Sequence, residues 1–139
     1  KDFISIHVRR GDYISSPKTS NFHGNLGINY YLKSINIVRE RFGNIPVLLF
    51  SDDYKWIIKN LKNKIPNSVV ISSNKYGFES DFFVMSNAKY FILSNSTFSW
   101  WAAFLGKKKN KFIVFPEFWF NDIKTNSDLI FKKWNYIIN

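Results

Sequence analysis

The chain has no cysteine, one methionine, two histidines and only four arginines among its twenty basic residues. Without cysteine there is no disulfide and no thiolate metal site, and the redox compartment is left open. Two histidines, His7 and His23, are too few for a convincing transition-metal centre. No apolar run approaches the length of a membrane span, and no signal peptide is visible. G-x-G-x-x-G is absent, which removes the dinucleotide fingerprint, and so is G-x-x-x-x-G-K-[ST], which argues against a P-loop nucleotidase. There is no internal repeat and no low-complexity segment.

What is present describes a folded chain. Apolar residues make up 45% and aromatics 19% of 139 residues, enough for one domain with a real core. The net charge of +10 admits nucleic acid, an anionic membrane surface or a phosphorylated substrate as partners. Yet sixteen lysines are scattered among sixteen asparagines, and the one dense group, Lys107 to Lys109 with Lys111, falls in an expected turn. Solvated loop charge accounts for it. The chain opens on Lys1 and enters a strand almost at once, so it reads as a piece of a longer protein.

Strand and helix alternate along the chain. After an opening strand, the polar stretch from Ser15 to Asn29 reads as a long loop, of the kind that often carries function. From Tyr30 to Phe42, Tyr31, Ile35, Val38 and Phe42 recur on one helix face, and Gly43 is placed to end the helix. Val47 to Phe50 is a short buried strand. Ser51 or Asp52 can cap the next helix, with Tyr54, Ile57, Ile58 and Leu61 as its inner face. Strands at 69–71, 90–93 and 112–115 follow, separated by helices from about Ser80 to Ala88 and from about Thr97 to Leu105. Trp119 to Asn139 reads as a loop and a terminal helix. Five strands alternating with helices imply an α/β fold, a Rossmann-like parallel sheet sandwiched by helices.

Two stretches carry chemistry. In the first, Ser5-Ile6-His7-Val8-Arg9-Arg10-Gly11-Asp12-Tyr13, a buried strand delivers two of the four arginines side by side at its carboxyl end. Guanidiniums are costly there unless an anion or a carboxylate meets them, and their planar fork suits phosphate oxygens. Gly11 allows a sharp turn or a close approach, and Asp12 could hold one arginine. An internal Arg10–Asp12 ion pair with nothing bound is the plain alternative. Ligands of open α/β sheets sit at strand carboxyl ends, which favours the phosphate. In the second stretch, Ser94 to Ala103, hydroxyl residues lie between a strand and a helix start, where free N–H groups and the helix dipole attract an anion. Ser96, Thr97 and Ser99 could donate to the same oxygens; an ordinary N-cap is the simpler alternative. The helix that follows is apolar nearly all round and needs cover on more than one side. Asp52, Asp53 and Asp81 stand near helix starts, where capping is the default, and no Asp-x-Asp metal pattern accompanies them.

Taken together, these residues resemble the carboxy-terminal half of a bacterial α-1,2-fucosyltransferase of glycosyltransferase family 11. His7-x-Arg9-Arg10-x-Asp12 resembles the H-x-R-R-x-D motif that this family shares with the α-1,6-fucosyltransferases. Phe50-Ser51-Asp52-Asp53 with Trp56 is similar to the second block. Asp81 with Met85-Ser86, and Asn95-Ser96-Thr97-Phe98-Ser99-Trp100-Trp101-Ala102-Ala103, are similar to the third and fourth. Four motifs in family order are a specific signal. The resemblance implies that residues 1–139 are the GDP-fucose-binding half of a two-domain GT-B enzyme that inverts the anomeric centre, without a metal or other cofactor. It gives Arg9 the pyrophosphate, with Arg10 in support, His7 and Asp81 the guanine, and Ser96, Thr97 and Ser99 the donor phosphates, with Asn95 also donor-binding. Asp12 is the nearest candidate for a catalytic base, with orienting Arg9 or Arg10 as its default task.

The family's amino-terminal G-x-L-G-N-Q segment is absent, and Gly24-Asn25-Leu26-Gly27 is a faint echo in another place. The resemblance therefore also implies a partner domain of the same protein, an acceptor oligosaccharide such as a galactoside bearing a free 2-hydroxyl, and no nucleic acid. It implies a cytoplasmic bacterial enzyme, with peripheral attachment at the inner membrane face open to it. A nucleic-acid-binding module and a non-catalytic interaction domain are the competing classes. The first needs aromatics interleaved with basic residues on an exposed face, whereas the aromatics here follow core periodicity.

Overall fold

The computed structural model describes residues 1–11, 26–120, 123–124 and 136–138. Strand β1 (Ile4–Val8) is buried along its whole length, as a central parallel strand must be. Helix α1 (Ile28–Phe42) leads to β2 (Val47–Ser51), and helix α2 (Tyr54–Asn60) with a 3₁₀ turn (Lys62–Lys64) leads to β3 (Ser68–Ser72). Helix α3 (Ser73–Ser86), β4 (Tyr90–Ile92), helix α4 (Thr97–Leu105) and β5 (Phe112–Pro116) complete the alternation. A small antiparallel pair, β6 (Phe118–Phe120) and β7 (Ile123–Lys124), precedes β8 (Tyr136–Ile138).

Six parallel strands form one sheet in the order β3-β2-β1-β4-β5-β8. The five expected strands are all there, and the sixth lies where a terminal helix was expected. Tyr136, Ile137 and Ile138 pair in parallel with Val114, Phe115 and Pro116. Such a short aromatic and β-branched run fits either period, and sheet pairing decides it. β1 lies between β2 and β4, with Ile6 opposite both Leu49 and Ile92. The strand order reverses on either side of β1, so a crevice opens at its carboxyl end, the place where doubly wound sheets bind ligands.

Two apolar layers enclose the sheet. Ile4, Ile6 and Val8 face Tyr31, Ile35 and Val38 of α1 and Ile57 of α2. The opposite face packs Phe50, Phe91, Leu93 and Phe115 against Met85 of α3 and Ala102 and Ala103 of α4. Period-two alternation along β1 turns Ser5 and His7 away from the α1 side.

Several expectations need correction. α1 begins at Ile28, inside the stretch read as loop, and its Phe42 is partly exposed, its ring tilted against Tyr90 at 4.7 Å and edge-on to Phe112 at 5.1 Å. Gly43, at φ +85°, closes α1 in a conformation that L-residues avoid. Ile58 is exposed, so the inner face of α2 rests on Ile57, followed by Leu61. α3 starts at Ser73 and is interrupted by Gly77 (φ 79°, ψ 163°), which an apolar count from Ser80 misses. The apolar helix α4, by contrast, keeps one side open as its composition allows: Trp101, Phe104 and Leu105 are 48%, 42% and 55% exposed. No helix among the described residues is long and apolar enough to cross a membrane.

Candidate functional site

The carboxyl ends of β1 and β2 are tied together by one carboxylate. Asp52 Oδ1 accepts the Arg10 backbone N–H and Oδ2 that of Gly11, each at 2.9 Å, while the Arg9 guanidinium lies 3.1 Å from Oδ2. The approach is close enough that a Cβ on Gly11 would stand 2.9 Å from Oδ2. A side chain at position 11 would therefore push Asp52 out of its clamp, and no left-handed backbone is involved. Ser51 braces the same junction: its Oγ donates to the Val8 carbonyl at 2.6 Å and accepts the Asp53 N–H at 2.9 Å. The capping role expected of Ser51 or Asp52 falls to Asp53, which accepts the Trp56 N–H at 3.0 Å.

Arg10 turns away from Arg9. Its guanidinium carbon stands 4.1 Å over the Trp56 ring, and its Nε is 3.6 Å from Asp53 Oδ2. That distance is too long for a hydrogen bond, and Nε is buried without one; the ring face and the nearby carboxylate compensate. Among the described residues Asp52 and Asp53 supply carboxylates to the two arginines; Asp12, named as a partner of Arg10 and as the candidate base, lies outside the described residues.

His7 is 5% exposed and spans the crevice between β1 and the end of β4, its Nδ1 2.8 Å from Ser94 Oγ. Its ring leans on Phe98 at 5.4 Å. Burial depresses its pKa from 6.5 to about 4; the Asp52 charge opposes that shift and Arg9 adds to it, so the ring is neutral at neutral pH. Asp81, on α3, is 6% exposed, makes no hydrogen bond or ion pair among the described residues, and has its pKa raised by desolvation. Both line a cavity of about 350 Å³ whose other walls are Arg9, Phe50, Ser51, Asp52, Phe78 and Phe98.

His7, Arg9 and Asp81 therefore line one cleft, while Arg10, held over Trp56, is not among its walls. The hydroxyl stretch is divided. Ser96 is the N-cap of α4, accepting the Phe98 N–H at 3.3 Å, and Thr97 is exposed on the first turn. Asn95 is buried and donates through Nδ2 to the Trp119 carbonyl at 3.2 Å, tying α4 to β6. Ser99 is fully buried and donates to the Ser96 carbonyl at 3.1 Å. Sequence reasoning missed Asp52 as the clamp, Trp56 as the platform for Arg10, and Ser94 as the partner of His7. One signal was available: two adjacent aspartates at a strand end are one more than a cap needs.

The model of glycosyl transferase family 11 matches residues 1–138. The O-antigen biosynthesis glycosyltransferase WbnK of Escherichia coli is 41% identical over 84% of the chain and 38% of its own length. An alpha-1,2-colitosyltransferase of Escherichia coli is 40% identical over 94% of the chain and 46% of its own length. More distantly, a mouse galactoside alpha-(1,2)-fucosyltransferase 1 is 28% identical over 74% of the chain and 28% of its own length. The chain thus spans less than half the length of these relatives. No solved structure matches it. A parallel sheet with an arginine clamped at its switch point, and a family match along nearly every residue, give one conclusion: this chain belongs to glycosyl transferase family 11.

Proposed function

We propose that this chain supplies the donor-binding half of an inverting, metal-independent GT-B fucosyltransferase, which moves L-fucose from GDP-fucose to the 2-hydroxyl of a galactoside. The observation that carries the reading is the convergence of Arg9, His7 and Asp81 on one cleft at the switch point. A cation fixed at the sheet's carboxyl edge beside a buried carboxylate suits a ligand with a diphosphate at one end and N–H donors at the other. Arg9 faces the diphosphate; a guanidinium has five donors, so it can hold Asp52 and still engage phosphate oxygens. Asp81 accepts from the guanine N1–H and exocyclic amine.

In the transfer, the acceptor oxygen forms a bond to the anomeric carbon from the face opposite GDP. The carbon–oxygen bond to the β-phosphate breaks, its electron pair stays on that phosphate, and the acceptor proton passes to a base. Arg9 and the N-terminus of α4 stabilise the charge that grows on GDP. The Oδ atoms of Asp52 stop Arg9 from swinging away and keep the loop amides of Arg10 and Gly11 in place. The acceptor and its positioning belong to a facing domain.

Calorimetric titration with GDP, GDP-fucose, ADP and UDP tests this. The parent should prefer guanine nucleotides, and Arg9→Ala should weaken GDP binding by about 1.5–3 kcal/mol, with Arg9→Lys a partial rescue because it lacks the fork. Equal affinity of parent and both variants would remove the phosphate assignment, and equal affinity for GDP and ADP would remove the guanine. A second donor has an observation of its own: the relative covering 94% of the chain is a colitosyltransferase. Colitose is fucose without its 3-hydroxyl, so GDP-colitose belongs in the same titration.

A further inference from the structure

The Ser94 hydroxyl has one proton and two neighbours able to take it. His7 Nδ1 is 2.8 Å away, and Ser99 Oγ is 3.5 Å away. Ser99 sends its own proton to the Ser96 carbonyl at 3.1 Å, so it offers Ser94 only lone pairs, at the edge of hydrogen-bonding range. Both serines are fully buried, which leaves no solvent to take the proton instead. The short contact therefore receives it: Ser94 donates and His7 Nδ1 accepts. A neutral imidazole that accepts at Nδ1 carries its own proton on Nε2. With Nδ1 turned to Ser94, Nε2 is the nitrogen His7 has left for the cleft that it lines. The opposite tautomer would place a lone pair there, beside a cavity wall that already holds the Asp81 carboxylate, which has no partner among the described residues.

We propose that Ser94 is a positioning residue that locks His7 as the Nε2–H tautomer, so that the cleft presents one donor (His7) and one acceptor (Asp81) to a purine whose edge carries a carbonyl next to an N–H. This deepens the nucleotide reading above and rests on it. Guanine and hypoxanthine fit the pattern through their 6-oxo group and N1–H. Adenine offers an amine and a bare N1 in the same places, so each of the two contacts is reversed in sign. Discrimination is then built by a serine that touches no ligand.

Long-range proton–nitrogen NMR of the imidazoles in the free protein reads the tautomer directly. With only His7 and His23 present, a His23→Asn variant completes the assignment. Expected at pH 7 is a proton-bearing Nε2 and a bare Nδ1 for His7. Ser94→Ala should mix or reverse this pattern and lower the GDP-to-ADP affinity ratio about tenfold, while Ser94→Thr, which keeps the hydroxyl, should preserve both. A proton-bearing Nδ1 in the parent would overturn the proposal, with no variant needed. An alanine variant that folds, as judged by its amide spectrum, and keeps both tautomer and ratio would overturn it equally. A parent that binds neither nucleotide would instead refute the nucleotide reading, while the free-protein spectra would still decide the tautomer.

Discussion

At the residue scale, Asp52 carries the largest share of the site's order. Two loop amides and a guanidinium converge on it, and no other residue type offers two anionic oxygens at that reach. Asp52→Asn replaces one acceptor with a donor aimed at an N–H or a guanidinium. It should destabilise the fold by about 2 kcal/mol and weaken GDP binding beyond that loss, as measured by denaturant unfolding and calorimetry. Unchanged values in both would show that the clamp is incidental. His7 makes a pH prediction. Its folded pKa of about 4 lies below the 6.5 of an exposed histidine, so between these values the unfolded chain takes up a proton that the folded one refuses. Stability is therefore complete above pH 6.5 and falls as pH drops through the window, by roughly 2 kcal/mol at pH 5. Urea unfolding at pH 7 and pH 5 checks it, and a flat profile that persists in a His23→Asn background would contradict the buried, neutral ring. Much of this was legible in the sequence, because Arg9-Arg10 after a β-branched run can hardly be placed without counter-charge. Which carboxylate supplies it was not. Asp12 is nearest in sequence, whereas Asp52 is brought in by a parallel pairing forty residues away that no local pattern encodes.

At the scale of elements, the buried strands and α1 follow their sequence periods closely, since burial on both faces leaves a continuous apolar run and burial on one leaves a stripe. The departures occur where a local choice is shared with a distant partner. Gly77 interrupts α3 inside a helix that begins in the polar run Ser73-Asn74-Lys75, which an apolar period does not register, and β8 is a strand because β5 has an edge to fill. The end of α4 shows how such a partner acts. Its final carbonyls lack intrahelical partners, and Lys111, already on the approach to β5, donates through Nζ to Ala103 and Gly106 at 2.5 Å each and to Phe104 at 3.3 Å. A cation there also opposes the negative end of the helix dipole. Lys111→Met keeps the apolar stem and removes the donors; it should cost about 1–2 kcal/mol in denaturant unfolding. A change below a few tenths would mean that water replaces the lysine without loss. The lysine cluster read as solvated loop charge therefore contains Lys111, which closes a helix, beside Lys108, which pairs with Asp2 at the surface.

At the scale of the whole molecule, the sheet order puts β1 at the reversal point, and His7, Arg9 and Asp81 line one cleft there. The layer structure has its own two-sided core, so the 139-residue chain should fold alone and bind GDP. Transfer asks for more than donor binding. The acceptor hydroxyl must be held within reach of the anomeric carbon, and such positioning accounts for several orders of magnitude in rate. On the proposed reading a facing domain provides it, which agrees with a chain less than half the length of its relatives. The uncovered face of α4, where Trp101, Phe104 and Leu105 lie exposed, is larger in apolar character than isolated surface residues need be. With GDP-fucose and a galactoside acceptor, this chain alone should therefore show saturable GDP binding and no detectable fucosyl product. Full turnover by the 139 residues would place the acceptor site among them and overturn the division of labour. Failure to bind GDP in a cooperatively folded sample would instead show that donor affinity needs both halves of the cleft.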